Sequence, residues 1–123
     1  ILQGIGNGSF FFSRSYQLTT GAGPVAVVLG DFNRNSRWDI VVAESGLNTV
    51  NLLVEFIAAD FGEQVLYSTG SASRPYAITT ADVNNDNTSD IVVANSGTDD
   101  VSIFLGYGNG AFMSEKTYSV GID

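Results

Sequence analysis

Short apolar runs rich in β-branched residues recur along this chain, and clusters of Gly, Asn, Asp and Ser separate them. Runs of this length and composition are typical of β-strands. No segment places its apolar residues at the spacing of an amphipathic helix. The pattern therefore predicts an all-β fold, with strands at residues 24–30, 40–44, 49–56, 63–68, 76–81, 91–95, 101–106 and 113–120.

Two of these runs differ in the solvent exposure that we expect for them. The run PVAVVLG at residues 24–30 is apolar at nearly every position, which is typical of a strand buried on both faces. The run MSEKTYSV at residues 113–120 includes Glu115 and Lys116, which favour contact with solvent. We therefore expect residues 24–30 to form a buried inner strand and residues 113–120 an exposed outer strand.

The chain also repeats itself. Residues 31–50 align with residues 82–101 without a gap, and ten of the twenty positions are identical. A constant offset of this kind indicates a tandem repeat. We divide the chain into a partial repeat at 1–23 and two repeats at 24–74 and 75–123, about 2.4 units of 51 residues. The same offset relates further landmarks, namely Phe10, Phe61 and Phe112, and Tyr16, Tyr67 and Tyr118.

Each full repeat contains four predicted strands. Four short strands in a repeat of about 40–50 residues are typical of one blade of a β-propeller, an antiparallel four-stranded sheet. A β-sandwich also has several short strands, but it does not repeat them in fours at a fixed period. A propeller ring has about four to eight blades. We therefore expect this chain to pack against identical copies or against further repeats of a longer chain.

Composition restricts the possible chemistry. The net charge is −8 with only five Lys and Arg residues, which argues against nucleic acid as a partner. The chain has no His and no Cys, which excludes zinc sites of the usual kind, thiol catalysis and His-based triads. Any metal must then be held by oxygen atoms, which favours Ca²⁺ over Mg²⁺. No run approaches the roughly 18 apolar residues of a membrane-spanning helix, so we expect no membrane insertion.

The strongest candidate for such a metal site is the segment DVNNDNTSD at residues 82–90, together with its counterpart DFNRNSRWD at residues 31–39. We call them the second loop and the first loop. Side-chain oxygens at positions 1, 3, 5 and 9 of a tight loop can point inward at one cation. The alternative interpretation is a polar hairpin turn, in which Asp and Asn side chains accept hydrogen bonds from nearby backbone amides.

Both loops resemble the calcium-binding repeats of one family, the FG-GAP or VCBS-type repeats of integrin-like β-propellers. The resemblance is carried by the loops, by the strands IVVAE and IVVAN that follow them, and by the turns GNGSF at 6–10 and GNGAF at 108–112. It implies that each loop binds Ca²⁺. The implied ligands are Asp31, Asn33, Asn35, the carbonyl of Arg37, and Asp39 in the first loop, and Asp82, Asn84, Asp86, the carbonyl of Thr88, and Asp90 in the second.

The two loops depart from the family pattern in ways that rank them. Ser36 and Asn87 stand where the family has glycine, and Asn adopts the left-handed conformation more readily than Ser. The first loop has two carboxylates beside Arg34 and Arg37, whereas the second has three and no cation next to it in the sequence. We therefore expect the second loop to bind calcium more tightly.

Three functions are compatible with these features. The first is a non-catalytic, calcium-stabilised scaffold that acts in adhesion or assembly outside the cell or at its surface, with extracellular proteins as partners. The second is a lectin that stacks glycans on Trp38, Tyr76 or Tyr107. The third, an enzyme with paired carboxylates, is disfavoured because the acidic clusters recur once per repeat, which is typical of architecture rather than catalysis.

Overall fold

The computed structural model of this chain describes residues 1–57 and 60–121. No helix occurs in those ranges, which confirms the prediction of an all-β fold. The same ranges therefore contain no helix long and apolar enough to cross a membrane. The strands are β1 (Leu2–Gly4), β2 (Phe10–Phe12), β3 (Pro24–Gly30), β4 (Asp39–Glu44), β5 (Thr49–Ile57), β6 (Asp60–Ser68), β7 (Pro75–Ala81), β8 (Asp90–Asn95), β9 (Asp100–Phe104) and β10 (Lys116–Ser119).

The strands form three antiparallel sheets. Strands β1 and β2 make an N-terminal hairpin, β3 to β6 make the first sheet, and β7 to β10 make the second sheet, each in chain order. Chain order is expected here because short polar turns join neighbouring antiparallel strands. The described residues close no barrel or ring.

The strands of the two larger sheets pair in the same register, at positions that are 51 residues apart. Gly30 lies opposite Asp39 in the first sheet, and Ala81 lies opposite Asp90 in the second. Each sheet also has an irregularity in its first strand, directly after Pro24 and directly after Pro75. Strands β9 and β10 are shorter than the sequence predicts, because the chain between them turns through glycines with positive φ and keeps only an isolated bridge.

An apolar core lies between the first and second sheets. Val41 and Leu52 are paired across β4 and β5 and are both fully buried. Ile91 and Phe104 are paired across β8 and β9 and face them from the second sheet. The buried members of this cluster are Phe32, Val41, Val50, Leu52, Ile91, Val93, Phe104 and Phe112.

The prediction that residues 24–30 are buried on both faces was wrong. β3 is an edge strand that contacts β7 of the second sheet on one side, and its other side is open. Val27 is 61% exposed and Leu29 is 53% exposed as a result. The most deeply buried strands are instead β4, β5 and β8. The outer strand β10 is exposed at all four residues, as predicted.

Candidate metal-binding loops

Each candidate loop joins the first strand of a sheet to the second. The first loop connects β3 to β4, and the second connects β7 to β8. The strand pairs Gly30–Asp39 and Ala81–Asp90 close the two loops at their bases. A loop of eight residues between paired strands is long enough to fold back on itself, and hydrogen bonds within it then decide its shape.

The aspartate at position 1 organises each loop. One Asp31 oxygen accepts the N–H of Asn35 at 3.0 Å, and the other accepts the N–H of Ser36 at 2.8 Å. Asp82 accepts the N–H groups of Asp86 and Asn87 at the same two distances. The carboxylate is therefore held inside the loop rather than pointing freely into solvent.

The side chains at positions 3 and 5 join this arrangement. The amide oxygen of Asn33 accepts the Asn35 N–H at 3.2 Å, and the amide oxygen of Asn84 accepts the Asp86 N–H at 3.2 Å. Oxygens from positions 1 and 3 thus gather at one backbone amide in each loop. The side chain of Asp86 lies beside them, since the Asn84 amide nitrogen donates to it at 2.8 Å.

The position-9 aspartates lie at the bases of the loops. Asp39 and Asp90 are both fully buried. Asp39 accepts the N–H groups of Phe32 and Glu55, each at 2.9 Å. Asp90 does the same with the N–H groups at positions 83 and 106, at 2.9 and 2.8 Å. In the second loop the structure therefore brings the side chains of positions 1, 3 and 5 together. Position 9 ties the first loop to the third strand of its sheet, β5, and the second loop to the segment just after β9.

Burial changes the acidity of Asp39. Removal from water raises the pKa of its carboxyl above the ordinary 3.8, the nearby charge of Asp31 adds to the rise, and hydrogen bonds from Glu55 and Phe32 oppose it. A positive ion beside this carboxylate acts in the opposite direction, because it favours the ionised form.

Hydrogen bonding has the opposite effect on Asp86. The Thr88 hydroxyl and the Asn84 side chain donate to this exposed carboxylate and hold its pKa below 3.8. The attraction of Arg34 adds to the decrease. Asp86 is therefore ionised at neutral pH, which suits a metal ligand.

Arg34 corrects the view that the second loop has no cation beside it. Its guanidinium donates to the backbone carbonyl of Asn87 at 2.9 Å, which links the first loop to the second. The two residues are 53 positions apart, so no local sequence pattern indicated this contact. The second loop is therefore richer in carboxylates, as the sequence shows, but it also carries the charge of an arginine from the other repeat.

The backbone of both loops adopts left-handed conformations without glycine. The φ angles are 59° at Arg34 and 64° at Ser36 in the first loop, and 61° at Asn85 and 67° at Asn87 in the second. Asparagine tolerates this region better than serine or arginine. Backbone strain is therefore lower in the second loop than in the first.

Carboxylates alone do not complete a metal site. Across residues 1–57 and 60–121, no group of three acidic side chains lies close enough to hold an ion by itself. An ion in either loop therefore requires amide and backbone carbonyl oxygens in addition to carboxylates, which is the mixed set that the sequence predicts. Positions 1 and 3 fit this requirement in both loops, since their oxygens meet at one backbone amide. Position 5 joins them in the second loop, where the Asn84 side chain contacts Asp86.

The three aromatic residues considered for glycan stacking are all exposed. Trp38 is 65% exposed, Tyr76 is 70% exposed and Tyr107 is 57% exposed. Trp38 lines a shallow depression of about 210 Å³ together with Asp31, Ser36 and Arg37. An exposed indole beside polar groups is an arrangement that can stack on a sugar ring.

No protein-family model, curated protein or solved structure matches this chain. The resemblance to FG-GAP repeats therefore depends on the loop and turn motifs themselves.

Proposed function

We propose that this chain is a non-catalytic, calcium-stabilised β-propeller repeat module that serves as a scaffold in adhesion or assembly. The observation that carries the proposal is that one hydrogen-bonded loop is built twice, with oxygens of positions 1 and 3 gathered at one amide in each copy. A polar hairpin turn also uses hydrogen bonds from backbone amides to Asp and Asn side chains, so the support for a cation comes from the recurrence of the whole oxygen-bearing set in both repeats. Two acidic loops with the same five oxygen-bearing positions suit a repeated cation.

The proposed ligands in each loop are those that the sequence predicts. In the second loop they are the side chains of Asp82, Asn84, Asp86 and Asp90 with the Thr88 carbonyl. The hydrogen bonds seen at Asp90 do not prevent ligation, because a carboxylate has about four lone-pair positions and two amides use only two of them. Ca²⁺ accepts six to eight oxygen ligands in flexible geometry, and water completes such a set.

In this role, bound calcium would raise the free energy of unfolding. An ion that binds only the folded state stabilises it in proportion to the logarithm of its concentration. It also offsets the repulsion among clustered carboxylates in a chain of net charge −8. Extracellular calcium modules work at roughly 10⁻⁴ to 10⁻³ M, so we place the protein outside the cell or at its surface.

The experiment is a calcium titration by calorimetry, combined with thermal unfolding in calcium and in chelator. We expect binding and a rise in Tm with calcium, with Asp82→Asn losing at least about tenfold in affinity at one site, or about 1.4 kcal/mol. Asp31→Asn is the matched change in the first loop and should affect a weaker site. A chain that takes up no calcium, with the same Tm in both conditions, contradicts the proposal.

The exposure of Trp38 supports a lectin as the second candidate. Aromatic rings flanked by polar side chains bind sugars by stacking and hydrogen bonding, and Asp31 and Arg37 share the depression with this indole. Trp38→Ala is expected to abolish binding on a glycan array, whereas Tyr107→Ala tests whether any exposed aromatic residue matters. Retention of glycan binding by Trp38→Ala would remove Trp38 from this role.

A further inference from the structure

A glycine-rich turn of the second repeat contacts both candidate loops. We call residues 106–112, with the sequence GYGNGAF, the junction turn. The N–H of Gly106 donates to the Asp90 carboxylate of the second loop at 2.8 Å. The N–H of Gly110 donates to the backbone carbonyl of Phe32 in the first loop at 2.9 Å. The junction turn therefore holds the two loops next to each other.

Gly108 lies at the point where the junction turn meets Arg34. A Cβ atom at this position would lie 3.0 Å from Cζ and Nε of Arg34 and 2.9 Å from Cγ2 of Thr88. Carbon atoms in contact are normally about 3.5–4.0 Å apart, so a side chain here requires one of these neighbours to move. Thr88 is restrained, since its hydroxyl and its N–H both donate to Asp86. The long Arg34 side chain is therefore the group that would move.

The present position of Arg34 gives the second loop a resident cation. Its guanidinium donates to the Asn87 carbonyl at 2.9 Å. Asn87 lies between two proposed calcium ligands, the Asp86 carboxylate and the Thr88 carbonyl. A fixed positive charge at this place repels a divalent ion. The space left by the missing Cβ of Gly108 is therefore occupied by a charge that opposes calcium binding.

We propose that Gly108 is a positioning residue that lowers the calcium affinity of the second loop by leaving room for Arg34 on it. The cation comes from the first repeat and the room for it from the second, so packing between the repeats regulates this site. The inference rests on the calcium-binding function proposed above. It implies that the same loop sequence binds calcium more tightly when residue 108 carries a side chain.

The test compares Gly108→Ala with Gly6→Ala by calorimetric calcium titration at low salt. Both glycines begin a Gly-Asn-Gly turn and have positive φ, 75° and 84°, so both substitutions introduce similar backbone strain. A Cβ at Gly6 meets no atom beyond its chain neighbours within 4 Å. At the site that Asp82→Asn weakens, we expect Gly108→Ala to tighten binding by up to about fivefold, the upper value for an exposed charge pair. Gly6→Ala should leave this affinity unchanged.

Arg34→Gln distinguishes positioning of the cation from a general distortion of the turn. If Gly108 acts through Arg34, Arg34→Gln gives the same gain, and adding Gly108→Ala to it changes nothing further. The gain should also shrink in about 1 M salt, where charges are screened within about 3 Å, whereas distorted ligands do not respond in this way. If Gly108→Ala fails to fold, Arg34→Gln still decides, because an unchanged affinity in that variant overturns the inference.

The position of Arg34 can be followed without calcium. In chelator, the NMR signals of its guanidinium, which Arg34→Gln identifies by their loss, should shift in Gly108→Ala and stay in place in Gly6→Ala. Signals that do not shift in Gly108→Ala overturn the inference. Weaker or unchanged calcium binding in Gly108→Ala overturns it as well and leaves the proposed function standing. A chain that binds no calcium contradicts the proposed function and, with it, this inference.

Discussion

The guanidinium of Arg34 donates a hydrogen bond of 2.9 Å to the backbone carbonyl of Asn87. This bond places a cation from the first loop against the second loop, where its charge contributes to the lowered pKa of Asp86. A permanent positive charge at that place opposes the approach of a divalent ion. It also joins the two loops directly by one hydrogen bond.

The first prediction concerns this cation. Arg34→Gln should tighten calcium binding at the second loop by up to about fivefold, which corresponds to the upper value near 1 kcal/mol for an exposed charge pair. Isothermal titration in low salt measures the change. Arg37→Gln removes the same charge from the first loop and serves as the control. Equal effects from both variants would show that only net charge matters.

A second prediction separates the two kinds of aspartate in the second loop. Asp90 is buried and accepts two backbone N–H groups, so Asp90→Asn leaves one of them facing an amide nitrogen. We expect a loss of about 1–3 kcal/mol in the free energy of unfolding, even in chelator. Asp82→Asn should instead lower stability mainly in calcium. Chemical denaturation in both conditions measures the contrast, and a calcium-dependent loss for Asp90→Asn alone would reverse these roles.

The third prediction concerns pH in the absence of calcium. The raised pKa of Asp39 means that the folded state binds this proton more tightly, so its effect on stability is most favourable at low pH and declines as pH rises through the folded pKa. The lowered pKa of Asp86 has the opposite sign: its contribution is present above 3.8 and is lost as pH falls through the folded value.

Denaturation in chelator across acidic to neutral pH tests both signs. Asp39→Asn should remove the decline in stability with rising pH, and Asp86→Asn should remove the loss on acidification. Profiles that stay parallel to wild type for both variants would contradict the assigned environments.

The fourth prediction compares the same substitution at equivalent positions of the two sheets. Val41 is fully buried, whereas its counterpart Val92 is only half-buried, on the face of the second sheet that points away from the core. Val41→Ala should lower the free energy of unfolding by about 2 kcal/mol, through lost transfer energy and a residual cavity. Val92→Ala should cost less than half as much in the monomer. Urea denaturation at low protein concentration measures both, and equal losses would show that this face is covered.

Much of the fold was predictable because local pattern determines local structure. The β-branched runs and the polar turns between them predicted the strands of both large sheets to within a few residues, since period and turn chemistry are properties of neighbouring residues. The offset of 51 likewise placed Asp31 and Asp82 at equivalent points of their loops. The structure then gave these two residues matching hydrogen bonds.

Burial of the inner strand was not predictable in the same way. PVAVVLG is apolar on both sides, and apolar character shows what a strand can cover rather than what covers it. In the structure β3 contacts β7 on one side only, so Val27 remains exposed. Positions 51 apart in the two sheets therefore differ in burial, because a face is buried only where another sheet packs against it.

The sequence by itself determined the all-β class, the 51-residue spacing and the oxygen-bearing residues of the two loops, because these follow from residue type and order. Only the tertiary structure decided that Asp39 and Asp90 anchor the loops from below and that Arg34 crosses to the second loop. Each of these depends on which distant residues meet once the sheets are packed, and a linear pattern does not specify such meetings.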